Sequence, residues 1–175
     1  LYYADRVYQI NLAIAGIAIG TVSLPVLSKA IKSKNYSKVS NIQNKSFELS
    51  LLLSLPASLG LIIASEEIVN GLFGYGSFTI NDVKMTADAL MFFGFGIVAF
   101  ALVKILANFF FARDNTKMPF YISSFIVFIN VSISITFFNQ IGFLIIPIAT
   151  SVSTWLGVVI FLYFLNKNYY LFLQK

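Results

Sequence analysis

The chain has 175 residues, of which 58% are apolar and 11% are charged, whereas an ordinary soluble domain carries about 25% charged residues. This composition excludes a soluble globular enzyme and a disordered chain, and it leaves room for about five bilayer spans of roughly 20 residues each. The absence of cysteine and histidine excludes disulfides, thiolate metal sites and the commonest general base. We assign the net charge of +5 to contact with a membrane surface rather than with nucleic acid.

The first predicted span covers residues 7–27. Gly16 and Gly20 have the four-residue spacing that lets membrane helices approach each other closely, and Pro25 is expected to bend the end of the helix. Residues 28–46 contain five lysines and no acidic residue. We interpret them as a cytoplasmic loop, part of which could form an interfacial helix.

The second predicted span covers residues 49–65, with Pro56 near its middle. A glycine-punctuated half-helix and turn are expected at 68–78. Thr79 and Asp82 are spaced as a capping box, which predicts that the next helix begins there.

Three further spans complete the predicted bundle, and short polar turns separate them. These spans cover residues 87–112, 119–138 and 143–165. The sequence therefore predicts an all-α, polytopic membrane helix bundle with about five transmembrane helices.

The cations are distributed unevenly across this predicted topology, with nine on one side and Lys84 alone on the other. The nine are Lys29, Lys32, Lys34, Lys38, Lys45, Arg113, Lys117, Lys167 and Lys175. Because Lys and Arg accumulate in cytoplasmic loops, the side with nine is predicted to be cytoplasmic, and the chain would begin outside and end inside. No signal peptide is visible near Leu1. An outside start then predicts at least one missing upstream helix, so we expect a fragment.

Three charged residues are candidates for contact with a substrate. Asp5 and Arg6 lie at the head of the first span, and Arg6 has two interpretations. It is either an anchor that reaches the headgroups or a cation that faces a cavity. The second interpretation follows from the cost of an isolated charge in the bilayer, roughly 3 kcal/mol or more, because such a charge usually has a role. Lys104 lies about 13 Å along its helix from Arg113, too deep to reach the surface easily, and should face protein or water.

A second group of candidates consists of uncharged oxygen-bearing side chains. Asn130 and Ser134 share one face of the fourth span, and Thr150 lies early in the fifth, near Ser151, Ser153 and Thr154. These side chains could coordinate a sodium ion, but the residues alone favour interhelical hydrogen bonding, which Ser and Thr make routinely. Because no phosphate-binding glycine loop and no usefully spaced pair of carboxylates is present, a transporter segment is favoured over an intramembrane enzyme.

Four linear motifs occur in order along the chain. Residues 2–9 read YYADRVYQ, residues 16–28 read GIAIGTVSLPVLS, residues 72–79 read LFGYGSFT, and residues 104–119 run from KIL to FFARDNTKMP. They resemble the motifs of the MurJ (MviN) family of lipid II flippases, within the multidrug/oligosaccharidyl-lipid/polysaccharide exporter superfamily. The resemblance covers essentially the whole chain.

This resemblance implies a partial C-terminal lobe, helices eight to twelve of a fourteen-helix protein, without the N-terminal lobe and the last two helices. Such a protein would carry lipid II, the undecaprenyl-pyrophosphate-linked peptidoglycan precursor, across the bacterial cytoplasmic (inner) membrane by alternating access, for cell wall synthesis. Arg6 would inherit the substrate-binding role of the family's Asp-Arg motif, with Asp5 and Lys104 as further substrate-binding residues. The implied partners are lipid II, membrane lipids and the missing remainder of the polypeptide.

The resemblance implies no cofactor and leaves Na⁺ and the membrane potential as candidate driving forces. Some family members resemble sodium-coupled transporters, with an Asn-x-x-x-Asp pair on helix eleven and a Thr on helix twelve. Asn130 and Thr150 match this pattern, but Ser134 stands where the carboxylate would be, which weakens the prediction of a sodium site.

Two other functions remain open from the sequence. The first is export of another polyprenyl-linked glycan or of drugs by a member of the same superfamily. The second is a non-transporting membrane scaffold, for which charge-neutral substitutions at Arg6 and Lys104 would have no effect.

Overall fold

The computed structural model describes residues 1–168, 170 and 171, and throughout this part of the chain the regular structure is helical. One continuous helical run comprises α1 (Tyr2–Leu12), a π-helical segment (Ala13–Ala18) and α2 (Ile19–Lys32). The other elements are α3 (Tyr36–Ile63), α4 (Ser65–Phe73), α5 (Ile80–Phe111), α6 (Lys117–Ile141), a 3₁₀ turn (Gly142–Leu144) and α7 (Ile145–Lys167). Lys175, one of the nine cations assigned to the cytoplasmic side, lies outside the described residues.

Within the described residues, three helical stretches are long and apolar enough to cross a bilayer: Tyr36–Ile63, Ile80–Phe111 and Lys117–Lys167. The last has 51 residues, about 76 Å of helix, against a hydrocarbon core of about 30 Å. The 3₁₀ turn divides it, since Gly142 adopts a left-handed conformation with φ 72°. The membrane helix bundle is confirmed, and the count of five spans stays a prediction.

Local sequence signals explain where several helices begin. Thr79 and Asp82 form the predicted capping box, in which the Thr79 hydroxyl accepts from the Asp82 N–H and the Asp82 carboxylate accepts from the Thr79 N–H. The side chain of Asn35 caps α3 by accepting from the Lys38 N–H at 3.0 Å. The segment 28–46, expected to be mainly a loop, is helical except at residues 33–35.

Helix α5 is the centre of the bundle, and α1, α2, α3, α4 and α7 pack around it. Its N-terminal half belongs to a buried apolar cluster that includes Leu90 and Ile97. Its C-terminal half belongs to a second cluster that includes Leu106 and Phe110. The arrangement therefore has an apolar core at each end of one long central helix.

Small residues bring neighbouring helices close to α5. A Cβ added at Gly16 would lie 3.3 Å from the Ala101 Cα, and one at Gly20 would lie 2.7 Å from the Asn108 Nδ2. The Asn108 side chain fills this narrow space and donates a hydrogen bond of 2.9 Å to the Gly20 carbonyl. The predicted packing role of the two glycines is confirmed.

Candidate functional site

The first candidate site lies on α1, where the side chains of four residues interact along one side of the helix. Gln9 donates from Nε2 to the Asp5 Oδ2 at 2.5 Å, and its Oε1 accepts from the Arg6 Nη1 at 3.5 Å. The Arg6 guanidinium carbon also lies 4.9 Å from the centre of the Tyr2 ring. Arg6 is exposed, so the rest of its donor fork is open to a ligand.

A cavity of about 880 Å³ opens between α1, α5 and α7 beside this group. Its polar lining includes Asp5, Gln9 and Thr150, and Phe93 and Phe100 contribute part of its apolar wall. Arg6 is not among the lining residues, but two side chains that hold it, Tyr2 and Gln9, are. The structure thus places Arg6, the cation that was predicted to face a cavity, at the edge of one.

Tyr8 and Gln9 were not among the residues selected from the sequence. Tyr8 is buried, and its ring stacks on Phe93 with centroids 5.0 Å apart. Gln9 could have been found, because it lies four residues after Asp5 and three after Arg6, the two spacings at which helix side chains meet. The environment of Tyr8 depends on α5, which the sequence of α1 does not reveal.

Lys104 lies on α5 and lines a separate cavity of about 340 Å³ together with Gly16, Gly20 and Asn108. Its side chain is exposed, and a Cβ added at Gly16 would lie 3.6 Å from its Cγ. The aliphatic stem of Lys104 therefore packs against the π-helical segment at Gly16. Substrate binding by Lys104 stays a prediction.

The neutral oxygen-bearing candidates meet where α6 packs against α7. Asn130 donates from Nδ2 to the Thr150 Oγ1 at 3.0 Å and to the Ser153 Oγ at 3.4 Å, and the Thr150 hydroxyl donates to the Ile146 carbonyl at 2.7 Å. Ser134 is half-buried one turn further along α6. The expected interhelical hydrogen bonding is confirmed, and coordination of sodium stays a prediction.

A third polar group lies at the predicted cytoplasmic end and was missed in the sequence. Arg113, which follows α5, donates to the Phe109 carbonyl at 2.6 Å and to the Tyr170 carbonyl at 2.8 Å. Gln43 of α3 donates to the same Tyr170 carbonyl at 2.9 Å. Burial lowers the pKa of the Arg113 guanidinium, and the neighbouring Tyr170 opposes that change.

Bilayer-length helices and an arginine beside an open cavity define a segment of a polytopic membrane protein. A family model described as Lipid II flippase MurJ matches residues 1–175, and the chain belongs to this family.

Relatives and a solved structure agree with this assignment. The chain is 38% identical over 159 residues to a "Probable lipid II flippase MurJ" of Rhizobium tropici, covering 91% of this chain and 30% of that protein. It is 36% identical over 174 residues to one of Rickettsia prowazekii (strain Madrid E), covering 99% and 34%. The structure "Lipid II flippase MurJ, inward closed conformation" matches with a TM-score of 0.86 and 25% identity, over 94% of this chain and 34% of that one. The chain thus spans about a third of the length of these relatives.

Proposed function

We propose that the full-length protein containing this segment flips lipid II across the bacterial inner membrane by alternating access, and so supplies cell wall synthesis. The observation that carries the proposal is the position of Arg6. It lies in the Asp-Arg motif of a chain that the MurJ family model matches throughout, and its guanidinium is exposed beside a cavity of about 880 Å³.

The chemistry of lipid II fits this position. Its pyrophosphate is a dense anion, and a guanidinium group matches phosphate oxygens with two parallel N–H donors and does not lose its proton. Only one N–H of Arg6 is directed at Gln9. The remaining donors can therefore meet a pyrophosphate that enters from the cavity.

The proposed topology and driving force follow from the polar residues. The lysine-rich C-terminal end of α2 and the lysine-rich N-terminal end of α3 face the cytoplasm, so the start of α1 lies on the outer side. Asn130 and Thr150 offer neutral oxygens to Na⁺, but Ser134 supplies no negative charge. We therefore propose the membrane potential as the driving force, with Na⁺ coupling as the alternative that replacement of external Na⁺ by K⁺ would reveal.

The first experiment measures lipid II on the outer leaflet of cells depleted of their own flippase. The full-length protein is compared with Arg6→Ala and with a control, Lys84→Ala, which removes an exposed cation from the start of α5. We expect the full-length protein and Lys84→Ala to restore lipid II exposure and Arg6→Ala to reduce it at least tenfold, about 1.4 kcal/mol.

The outcomes separate the alternatives. If Arg6→Ala also restores exposure at matched membrane levels, Arg6 is a headgroup anchor rather than a substrate ligand. If a well-expressed full-length protein fails, the assignment of lipid II is wrong, and export of another polyprenyl-linked glycan or of drugs replaces it.

A further inference from the structure

The geometry of α1 raises the question of why Asp5 does not neutralise Arg6. The two residues are adjacent in sequence, so their side chains leave the helix about 100° apart and do not face each other. Gln9 lies one turn further on, four residues after Asp5 and three after Arg6. From this position it reaches both, with Nε2 2.5 Å from the Asp5 Oδ2 and Oε1 3.5 Å from the Arg6 Nη1.

The Gln9 amide can make both contacts at once because it carries both a donor and an acceptor. An ionised carboxylate accepts hydrogen bonds and cannot donate them, whereas a guanidinium donates and cannot accept. The Gln9 side chain presents its NH₂ to Asp5 and its carbonyl oxygen to Arg6, and the reverse orientation would satisfy neither partner. The two neighbours therefore fix the orientation of the amide.

We propose that Gln9 is the positioning residue that keeps Arg6 available to a pyrophosphate, an inference that rests on the proposed flipping of lipid II. The Gln9 NH₂ engages one oxygen of the Asp5 carboxylate and so weakens the longer-range attraction of this carboxylate for the Arg6 guanidinium. The Gln9 carbonyl and the Tyr2 ring, 4.9 Å from the guanidinium carbon, hold the fork on the side of the helix that borders the cavity. Gln9 itself lines that cavity, so it acts where the anion would bind.

The decisive variant is Gln9→Glu in the full-length protein, because it changes one polar group and keeps the side-chain length. At about pH 7.5 the introduced carboxylate repels Asp5 and pairs with Arg6, so it competes directly with the anion. We expect lipid II exposure to fall about tenfold relative to the unsubstituted protein. A glutamate carboxyl group has an ordinary pKa of about 4.3, so the introduced group stays ionised across the neutral range and the loss should persist there.

Two further variants separate positioning from damage to the fold. Gln9→Met keeps the length but removes both the donor and the acceptor without adding a charge, and it should lower lipid II exposure less than Gln9→Glu does. Gln140→Glu places the same carboxylate at an exposed position near the end of α6 and should behave like the unsubstituted protein. A larger loss in Gln9→Glu than in Gln9→Met supports the inference, because general structural damage would follow the lost hydrogen bonds rather than the added charge.

Binding of inorganic pyrophosphate to the purified full-length protein in nanodiscs provides a readout independent of flipping. At about pH 7.5 the affinity of Gln9→Glu should fall about tenfold relative to the unsubstituted protein, and that of Gln9→Met should fall less. If binding follows this pattern while lipid II is not flipped, the proposed function fails and the role of Gln9 stands. Unchanged binding in Gln9→Glu, or a loss in Gln9→Met as large as that in Gln9→Glu, would overturn the inference.

Discussion

Arg113 shows at the scale of a single residue how one side chain can connect distant parts of the bundle. Its guanidinium bonds two carbonyls, those of Phe109 and Tyr170, and lies 4.5 Å from the centre of the Tyr170 ring. The Tyr170 ring also packs against Phe110, with centroids 5.8 Å apart. These contacts attach the chain after α7 to the turn between α5 and α6.

We expect Arg113→Lys to destabilise the protein almost as much as Arg113→Ala. A lysine keeps the charge but not the planar fork that serves two carbonyls and a ring face together, and a hydrogen bond to a charged group contributes about 1.5–3 kcal/mol. Thermal unfolding in nanodiscs checks this expectation, with Lys117→Ala, exposed just beyond the same turn, as the control. A lysine variant as stable as the unsubstituted protein would show that charge alone suffices at this position.

Contacts between elements depend on small residues, and the packing of α5 against α7 shows this most directly. A Cβ added at Gly96 would lie 2.7 Å from the Ser151 Oγ and 3.3 Å from its Cα. Ser151 in turn donates to the Phe92 carbonyl at 2.7 Å. Because a backbone atom is among the close neighbours, side-chain rotation cannot fully relieve the contact.

Gly96→Val should therefore separate α5 from α7 and destabilise the protein by about 1–3 kcal/mol, the usual cost of overpacking. Gly60→Val is the matched control, since a Cβ at this helical glycine of α3 would meet nothing within 4 Å. Thermal unfolding of the two variants in the same detergent measures the difference. Equal melting temperatures would mean that the α5–α7 interface adapts to the added methyl groups.

The sequence predicts individual helices better than it predicts the contacts between them. The capping box at Thr79 and the spacing of the two packing glycines are local patterns that extend over three and four residues, and the structure contains both. The lysines of segment 28–46 predict mainly a loop, but the segment is helical except at residues 33–35. Only the structure shows that Val39 and Gln43 of this segment are buried.

The Arg113 contact with Tyr170 joins residues 57 apart, and no spacing rule predicts it. The same limit explains why the cavity beside Arg6 was not predicted in detail. Its walls come from α1, α5 and α7, and their relative rotation is set by packing that sequence periodicity does not determine. Arg6 itself could be selected because an intramembrane charge is conspicuous in sequence.

At the scale of the whole molecule, the membrane topology is the property on which every functional assignment depends. The nine-to-one distribution of cations predicts that Lys38 lies in the cytoplasm and Lys84 outside. It also predicts that Gln140 lies outside, since residues 119–138 and 143–165 are predicted to cross the bilayer separately on either side of the turn at Gly142. This segment contains no cysteine, which makes it suited to labelling of introduced thiols.

We expect Lys84→Cys and Gln140→Cys to react with a membrane-impermeant maleimide in cells whose outer barrier has been opened. Lys38→Cys should react only after the inner membrane has been permeabilised. The experiment uses the full-length protein with any cysteines elsewhere replaced, and restoration of lipid II exposure by each variant shows that its fold is intact. Labelling of Lys38→Cys from outside would invert the topology and place Arg6 at the cytoplasmic end. If Gln140→Cys is not labelled from the outside, residues 119–138 and 143–165 do not form two separate spans, and the predicted count of five spans is wrong.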